Sequence, residues 1–258
     1  MSDNPNLLLL SMGFFLIAAL YSSVGFGGGS SYLALLALCI PDFLQIKTAA
    51  LLCNLVVVST GSYLYYKEGL FDQKKFFPLA LCSVPMAFLG ATIHLTQKSF
   101  FIFLGFVLAL SGILLIIQLF IKTAEKPVVS NNSWLINVGL GSSTGFLSGL
   151  VGIGGGILLS PILNLLKWDT AKKIAALASF FILVNSVAGL TGQLASGNFH
   201  VQFPLLLILL LSVFLGGQLG TRLSLRLLKP QLVRGLTGIL VSYIGVKLVL
   251  KYTLKIDI

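Results

Sequence analysis

From Ser99 to Ile121 the chain runs for 23 residues without an acidic or basic side chain. A helix needs about 20 mostly apolar residues to cross the hydrocarbon of a bilayer. Runs of this kind recur along the whole chain, and the charges collect in short clusters between them. Charged residues make up 9% of the 258 positions, where a water-soluble domain carries about a quarter. That is too few to cover a water-facing surface. The chain therefore reads as an all-α polytopic membrane protein, a single transmembrane domain over residues 1–258. Residues 1–6 hold Asp3 and no Lys or Arg, so the first apolar run reads as a membrane segment and not as a signal peptide with a basic start.

The remaining composition excludes other classes. A formal charge of +10 in a soluble protein would suggest nucleic acid; in a membrane protein it reflects Lys and Arg held on the cytoplasmic side. Cys39, Cys53 and Cys82 form no CxxC pair and read as small hydrophobes. His94 and His200 have no Cys or carboxylate spaced for a metal site. All seven acidic residues fall in termini or loops, which disfavours a proton relay or a membrane-embedded hydrolase. No cofactor, metal or nucleotide motif is present, and the expected function is not enzymatic.

The chain also repeats itself. Val24-Gly25-Phe26-Gly27-Gly28-Gly29 matches Val151-Gly152-Ile153-Gly154-Gly155-Gly156 at an offset of 127, and Asp42 falls on Asp169. Ala49-Ala50-Leu51, Pro78 and Phe88-Leu89-Gly90 recur at 126, and Gly61 and Gly69 at 128. An ordered series at nearly constant offset marks two similar halves. Repeat 1 covers 7–121, a linker 122–133, and repeat 2 134–252. Each half opens with a long apolar stretch broken by the glycine run (7–40 and 134–166). Spans follow near 47–66, 76–96 and 100–121, and near 173–194, 203–221 and 232–250.

Charge asymmetry bears on whether the broken stretches cross once or turn back. Single crossings divide the 17 Lys and Arg 9 to 8. Hairpins place 12 on one side and leave only Lys47, Lys98, Lys247, Lys251 and Lys255 on the other. The count tests the second stretch, and similarity between the halves extends the hairpin to the first. A hairpin plus three spans inverts the second half relative to the first and puts both termini outside the cytoplasm.

A G-x-G-G-G run is a poor helix former, and irregular backbone at membrane depth must be buried in protein or line a cavity. Paired breaks of this kind mark transporter binding sites. The helices that start after them present N–H groups without intrahelical partners and positive potential, an arrangement that binds anions. Gly27, Gly28, Gly29 and Ser30, with Gly154, Gly155 and Gly156, are the candidate anion ligands. The alternative is tight helix packing through the GxxxG spacing present in both runs. Within the spans, Asn54, Ser59, Thr48, Ser179, Asn185, Thr191 and Gln193 are polar. Asn54 and Asn185 can each donate two hydrogen bonds to an oxyanion, and Thr48 and Ser179 add hydroxyls. Asp42 and Asp169 read as N-caps, and Lys47 and Lys173 as solvated loop charge.

The segments Val24–Ser30 and Val151–Ile157, each followed by a short apolar stretch and an Ala-rich helix with an Asn in its middle, resemble the sulfite exporter TauE/SafE family. The resemblance covers nearly the whole chain, including the Gly69 and Gly197 turns. It implies a bacterial plasma-membrane exporter of sulfite, sulfonates or related sulfur oxyanions. One departure is Ala178-Ser179, where the family commonly has Thr-Ser, so that Ser179 alone carries that role; Thr48 stands a little earlier than expected. The expected partners are a small anionic substrate and the lipid bilayer, without nucleic acid, and the oligomeric state stays open, a homodimer included. A passive anion channel and a non-transporting membrane scaffold are the competing readings.

Overall fold

The computed structural model describes residues 5–37, 40, 42–120, 134–201, 203–226 and 230–254. The linker 122–133 and Cys39 lie outside the described residues. The first half contains α1 (Pro5–Ser22), α2 (Gly29–Leu36), α3 (Phe43–Lys67), α4 (Gln73–Thr92) and α5 (Gln97–Phe120). The second contains α6 (Trp134–Val151), α7 (Gly156–Leu165), α8 (Ala171–Ala195), α9 (Phe203–Arg226) and α10 (Pro230–Leu254). No strand occurs among the described residues. Among the described residues seven helices (α3, α4, α5, α6, α8, α9 and α10) are long and apolar enough to cross a membrane. The two glycine runs fall between α1 and α2 and between α6 and α7, as the duplicated pattern predicts. An Asp starts α3 and α4: Asp42 accepts from the Leu44 N–H at 3.0 Å and Asp72 from the Lys75 N–H at 3.3 Å.

Small residues set the packing, because a lipid-embedded bundle gains from close backbone approach and not from excluding water. On α6, Gly141, Gly145 and Gly149 repeat every fourth residue and lie against the backbones of Leu79, Ser83 and Ala87 on α4. Both series ascend together, so α4 and α6 run parallel. Gly216 and Gly220 of α9 likewise meet Phe15 and Ala19 of α1, while Val57 and Gly61 of α3 lie against Gly217 and Thr221 of α9, so α1, α3 and α9 share one direction. Gly192 near the end of α8 lies against Phe88 and Ala91 near the end of α4, and Lys75 at the start of α4 pairs with Asp169 just ahead of α8, which aligns α8 with α4 and α6.

Two of the long-helix pairs run in opposite senses. Thr48, near the start of α3, donates to Gln193 Oε1 near the end of α8 at 2.7 Å. Ser62, near the end of α3, donates to Ser179 near the start of α8 at 3.1 Å. These two helices are therefore antiparallel. So are α5 and α10, where Gly105 meets Gly245 and Val249 while Gly112 meets Gly238 and Ser242. Because α1 and α3 point the same way, the chain must turn back between them, and the same holds for α6 and α8. Each glycine run is the tip of a hairpin. The halves interleave: α4 of the first half packs on α6 and α8 of the second, and α9 of the second on α1 and α3 of the first.

Candidate functional site

Both hairpin tips are closed. Residues 21–33 and 151–161 are buried without exception. At the first tip, α1 ends in turns that bring the Phe26 N–H to Tyr21 O at 2.9 Å. Gly28 then caps α2 with φ of 87°, a left-handed conformation that a side chain disfavours. The Ser31 and Tyr32 N–H groups bond Gly28 O, each at 3.0 Å. Ahead of them the Gly29 N–H donates to Asn54 Oδ1 of α3 at 2.8 Å. A Cβ at either Gly27 or Gly29 would collide with the Asn54 side chain, so glycine is what allows α3 to reach this backbone. Asn54 is fully buried, and its Nδ2 has no hydrogen-bond partner. The Ser30 hydroxyl and the Tyr32 hydroxyl, which lies beside Gly28, are also buried and unpartnered. Tyr21 and Ser31 satisfy each other at 2.6 Å.

The second tip repeats the backbone and changes the side chains. Gly155 caps α7 with φ of 75°, and the Leu158 and Leu159 N–H groups bond its carbonyl at 3.1 Å. The residue lying across Gly154 and Gly156 is Ile182, which therefore stands where Asn54 stands in the first half. Ser148 and Ser186 flank Gly155 and Gly154, and both hydroxyls are buried without a partner. Asn185 lies almost one turn beyond Ile182. Its Nδ2 donates to Phe181 O of its own helix at 2.8 Å, and its Oδ1 is unpartnered. The structure thus brings Gly27, Gly28, Gly29, Ser30 and Asn54 together, and Gly154, Gly155 and Gly156 with Ser148 and Ser186. Thr48 and Ser179 lie instead at the α3–α8 crossing, where Ser179 also donates to Val58 O at 3.3 Å.

Two features depart from the sequence expectation. Lys47 is not solvated loop charge: it is 5% exposed, and its side chain runs over Gly152 at the second tip, with Cγ 2.7 Å from where a Gly152 Cβ would stand. The equivalent contact at the first tip is Gly25 against the Ala175 backbone. Asp169 is not the cap of α8, a position that Thr170 occupies. Its carboxylate, 1% exposed, pairs with Lys75 of the other half at 2.6 Å and with Lys173 at 4.0 Å. Burial pushes the Asp169 carboxyl up, but the Lys75 hydrogen bond, the Thr170 N–H and the charges of Lys75 and Lys173 outweigh it and hold it below the ordinary carboxylate value. At the opposite face Asp42 does cap α3, and its Oδ2 lies 3.2 Å from His200 Nδ1. The two aspartates that match in sequence therefore each pair with a side chain of the other half, Asp169 with Lys75 and Asp42 with His200. No cluster able to hold a metal ion occurs among the described residues.

Neutral donors dominate both tips, and among the described residues no carboxylate lies at either, an arrangement suited to an oxyanion. A family model described as sulfite exporter TauE/SafE matches residues 10–248. The chain is 33% identical over 240 residues to a probable membrane transporter protein, y4hK, of Sinorhizobium fredii, covering 93% of this chain and 96% of the relative. It is 26% identical over 215 residues to the probable membrane transporter protein YunE of Bacillus subtilis, covering 76% and 78%. No solved structure matches.

Proposed function

The chain belongs to the sulfite exporter TauE/SafE family of membrane transporters, and from that premise we propose that it exports small sulfur oxyanions, sulfite and organosulfonates among them, from the bacterial cytoplasm. The anion binds at the paired glycine breaks. The single observation that carries this reading is Asn54: its Oδ1 holds the first N–H of α2, and its fully buried Nδ2 offers two donors that nothing occupies. An unpaired amide at membrane depth costs roughly 1–3 kcal/mol, and a sulfonate or sulfite oxygen is the kind of acceptor that would relieve it. Unpartnered hydroxyls at Ser30, Ser148 and Ser186 extend the same donor chemistry to both tips.

The halves are inverted repeats in this proposal, and the antiparallel α3–α8 and α5–α10 pairs support it. The side bearing 12 of the 17 Lys and Arg is the cytoplasm, and both termini lie outside. Closed tips, seated between helices of both halves, suit an occluded state of alternating access better than an open pore. The test is radiolabelled sulfite counterflow in proteoliposomes. Saturable uptake stimulated by sulfite on the far side supports a carrier. Flux that stays linear without such stimulation would replace it with a channel. Absence of movement for sulfite, methanesulfonate and taurine alike would remove sulfur oxyanions as substrates.

A further inference from the structure

Among the described residues Lys47 is the one buried Lys or Arg. It is the fifth residue of α3; its stem is buried while its ammonium keeps access to solvent, and it makes no ion pair with any described residue. The nearest acid in sequence, Asp42, is committed to the Leu44 N–H and to His200. A positive charge held against the bundle interior with no carboxylate beside it favours an anion as its partner. The Lys47 side chain lies along Gly152, two residues before the Gly154–Gly156 run. Asn54 lies seven residues on, almost two helical turns and about 10 Å along the same face of α3. One face of one helix therefore presents a cation at the second tip and free amide donors at the first. The equivalent contact at the first tip is made to Gly25 by the Ala175 backbone, so that contact carries no charge.

We propose that Lys47 is the counter-charge of the anion site and limits it to singly charged anions, alkylsulfonates and hydrogensulfite in place of sulfate or the sulfite dianion. This rests on the anion reading above. One buried cation, neutral donors and no buried carboxylate nearby leave a neutral complex with a monoanion; a dianion would leave a net negative charge at membrane depth.

The test measures melting temperature of the purified full chain in detergent, with sodium gluconate replaced at constant ionic strength by methanesulfonate or by sulfate. Wild type is expected to melt higher with methanesulfonate and unchanged with sulfate. Lys47→Met, of similar length, is expected to melt at or above wild type when empty and to lose the methanesulfonate response, its apparent Kd weakened about 10-fold or more by loss of a charge-assisted hydrogen bond. Lys47→Arg is expected to keep the response. A Lys47→Met protein that responds as wild type does would overturn the role of Lys47 and leave the anion site standing. Equal responses to sulfate and methanesulfonate would overturn the charge rule. If wild type responds to neither of these anions nor to sulfite, the anion reading itself fails, and the role of Lys47 with it.

Discussion

Asn54 offers two separable roles, because its two amide atoms do different things. In Asn54→Ala the Gly29 N–H loses its acceptor in a fully buried position, a penalty of about 1–3 kcal/mol. The emptied amide site adds about 1 kcal/mol, since the Gly27 and Gly29 backbone that lines it has no side chain to refill it. The expected destabilisation is therefore about 2–4 kcal/mol, read by reversible unfolding in mixed detergent and SDS micelles. Asn54→Asp puts a carboxyl in a fully buried position, which costs stability of its own, but keeps an acceptor for Gly29 at the start of α2, where the helix dipole favours negative charge. It nevertheless removes the amide donors and sets a carboxylate at the site, so binding of methanesulfonate or sulfite should weaken about 10-fold or more. If Asn54→Ala unfolds within about 0.5 kcal/mol of wild type, a difference typical of surface substitutions, the Gly29 bond is not structural. Wild-type affinity in Asn54→Asp would refute the assignment of Nδ2 to the substrate.

Three further outcomes follow from the packing. Gly149→Ala places a methyl group into the Ala87 carbonyl at the α4–α6 contact, whereas a Cβ at Gly139 meets nothing within 4 Å; the first should destabilise by about 1–3 kcal/mol and the second should be neutral or stabilise by up to about 1 kcal/mol, both read by the same unfolding assay. The Ser62 and Ser179 hydroxyls are 3.1 Å apart, so a Ser62→Cys, Ser179→Cys protein should cross-link on oxidation; the bridge should stop counterflow and reduction should restore it, while transport unaffected by the bridge would rule out relative motion of α3 and α8. Asp169 has a folded pKa below its ordinary value, so its pairing with Lys75 contributes stability above about pH 4 that is lost as the pH falls through the folded value; Asp169→Asn should flatten that acid-side decline in a melting series.

The elements were largely legible in the sequence and the contacts were not. Long apolar runs and a glycine cluster repeated at one offset are local signals, and they gave the helices and both hairpin tips. The donor role of Asn54 depends on the rotation of α3 about its axis, which no local pattern encodes. Asn185 has the same neighbours in sequence, an Ala-rich helix with Asn near its middle, but it is displaced almost one turn from the tip and bonds its own helix. Ile182 stands in the place that the comparison of halves would have assigned to an amide. Lys47 looked like loop charge because what buries it, the Gly152 tip, comes from more than a hundred residues later in the chain. Asp169 was misread for the same reason: its partner Lys75 belongs to the opposite half.

The pairing of α1 with α9 bears on how the protein is made. Residues 5–22 leave the ribosome well ahead of α9, yet the face carrying Phe15 and Ala19 waits for Gly216 and Gly220, some two hundred residues later. At about 5–20 residues per second, that helix spends roughly 10–40 s in the bilayer without its neighbour. Its small-residue face must tolerate lipid for that time, and a nascent chain arrested before residue 203 would expose it to the cell's membrane proteases.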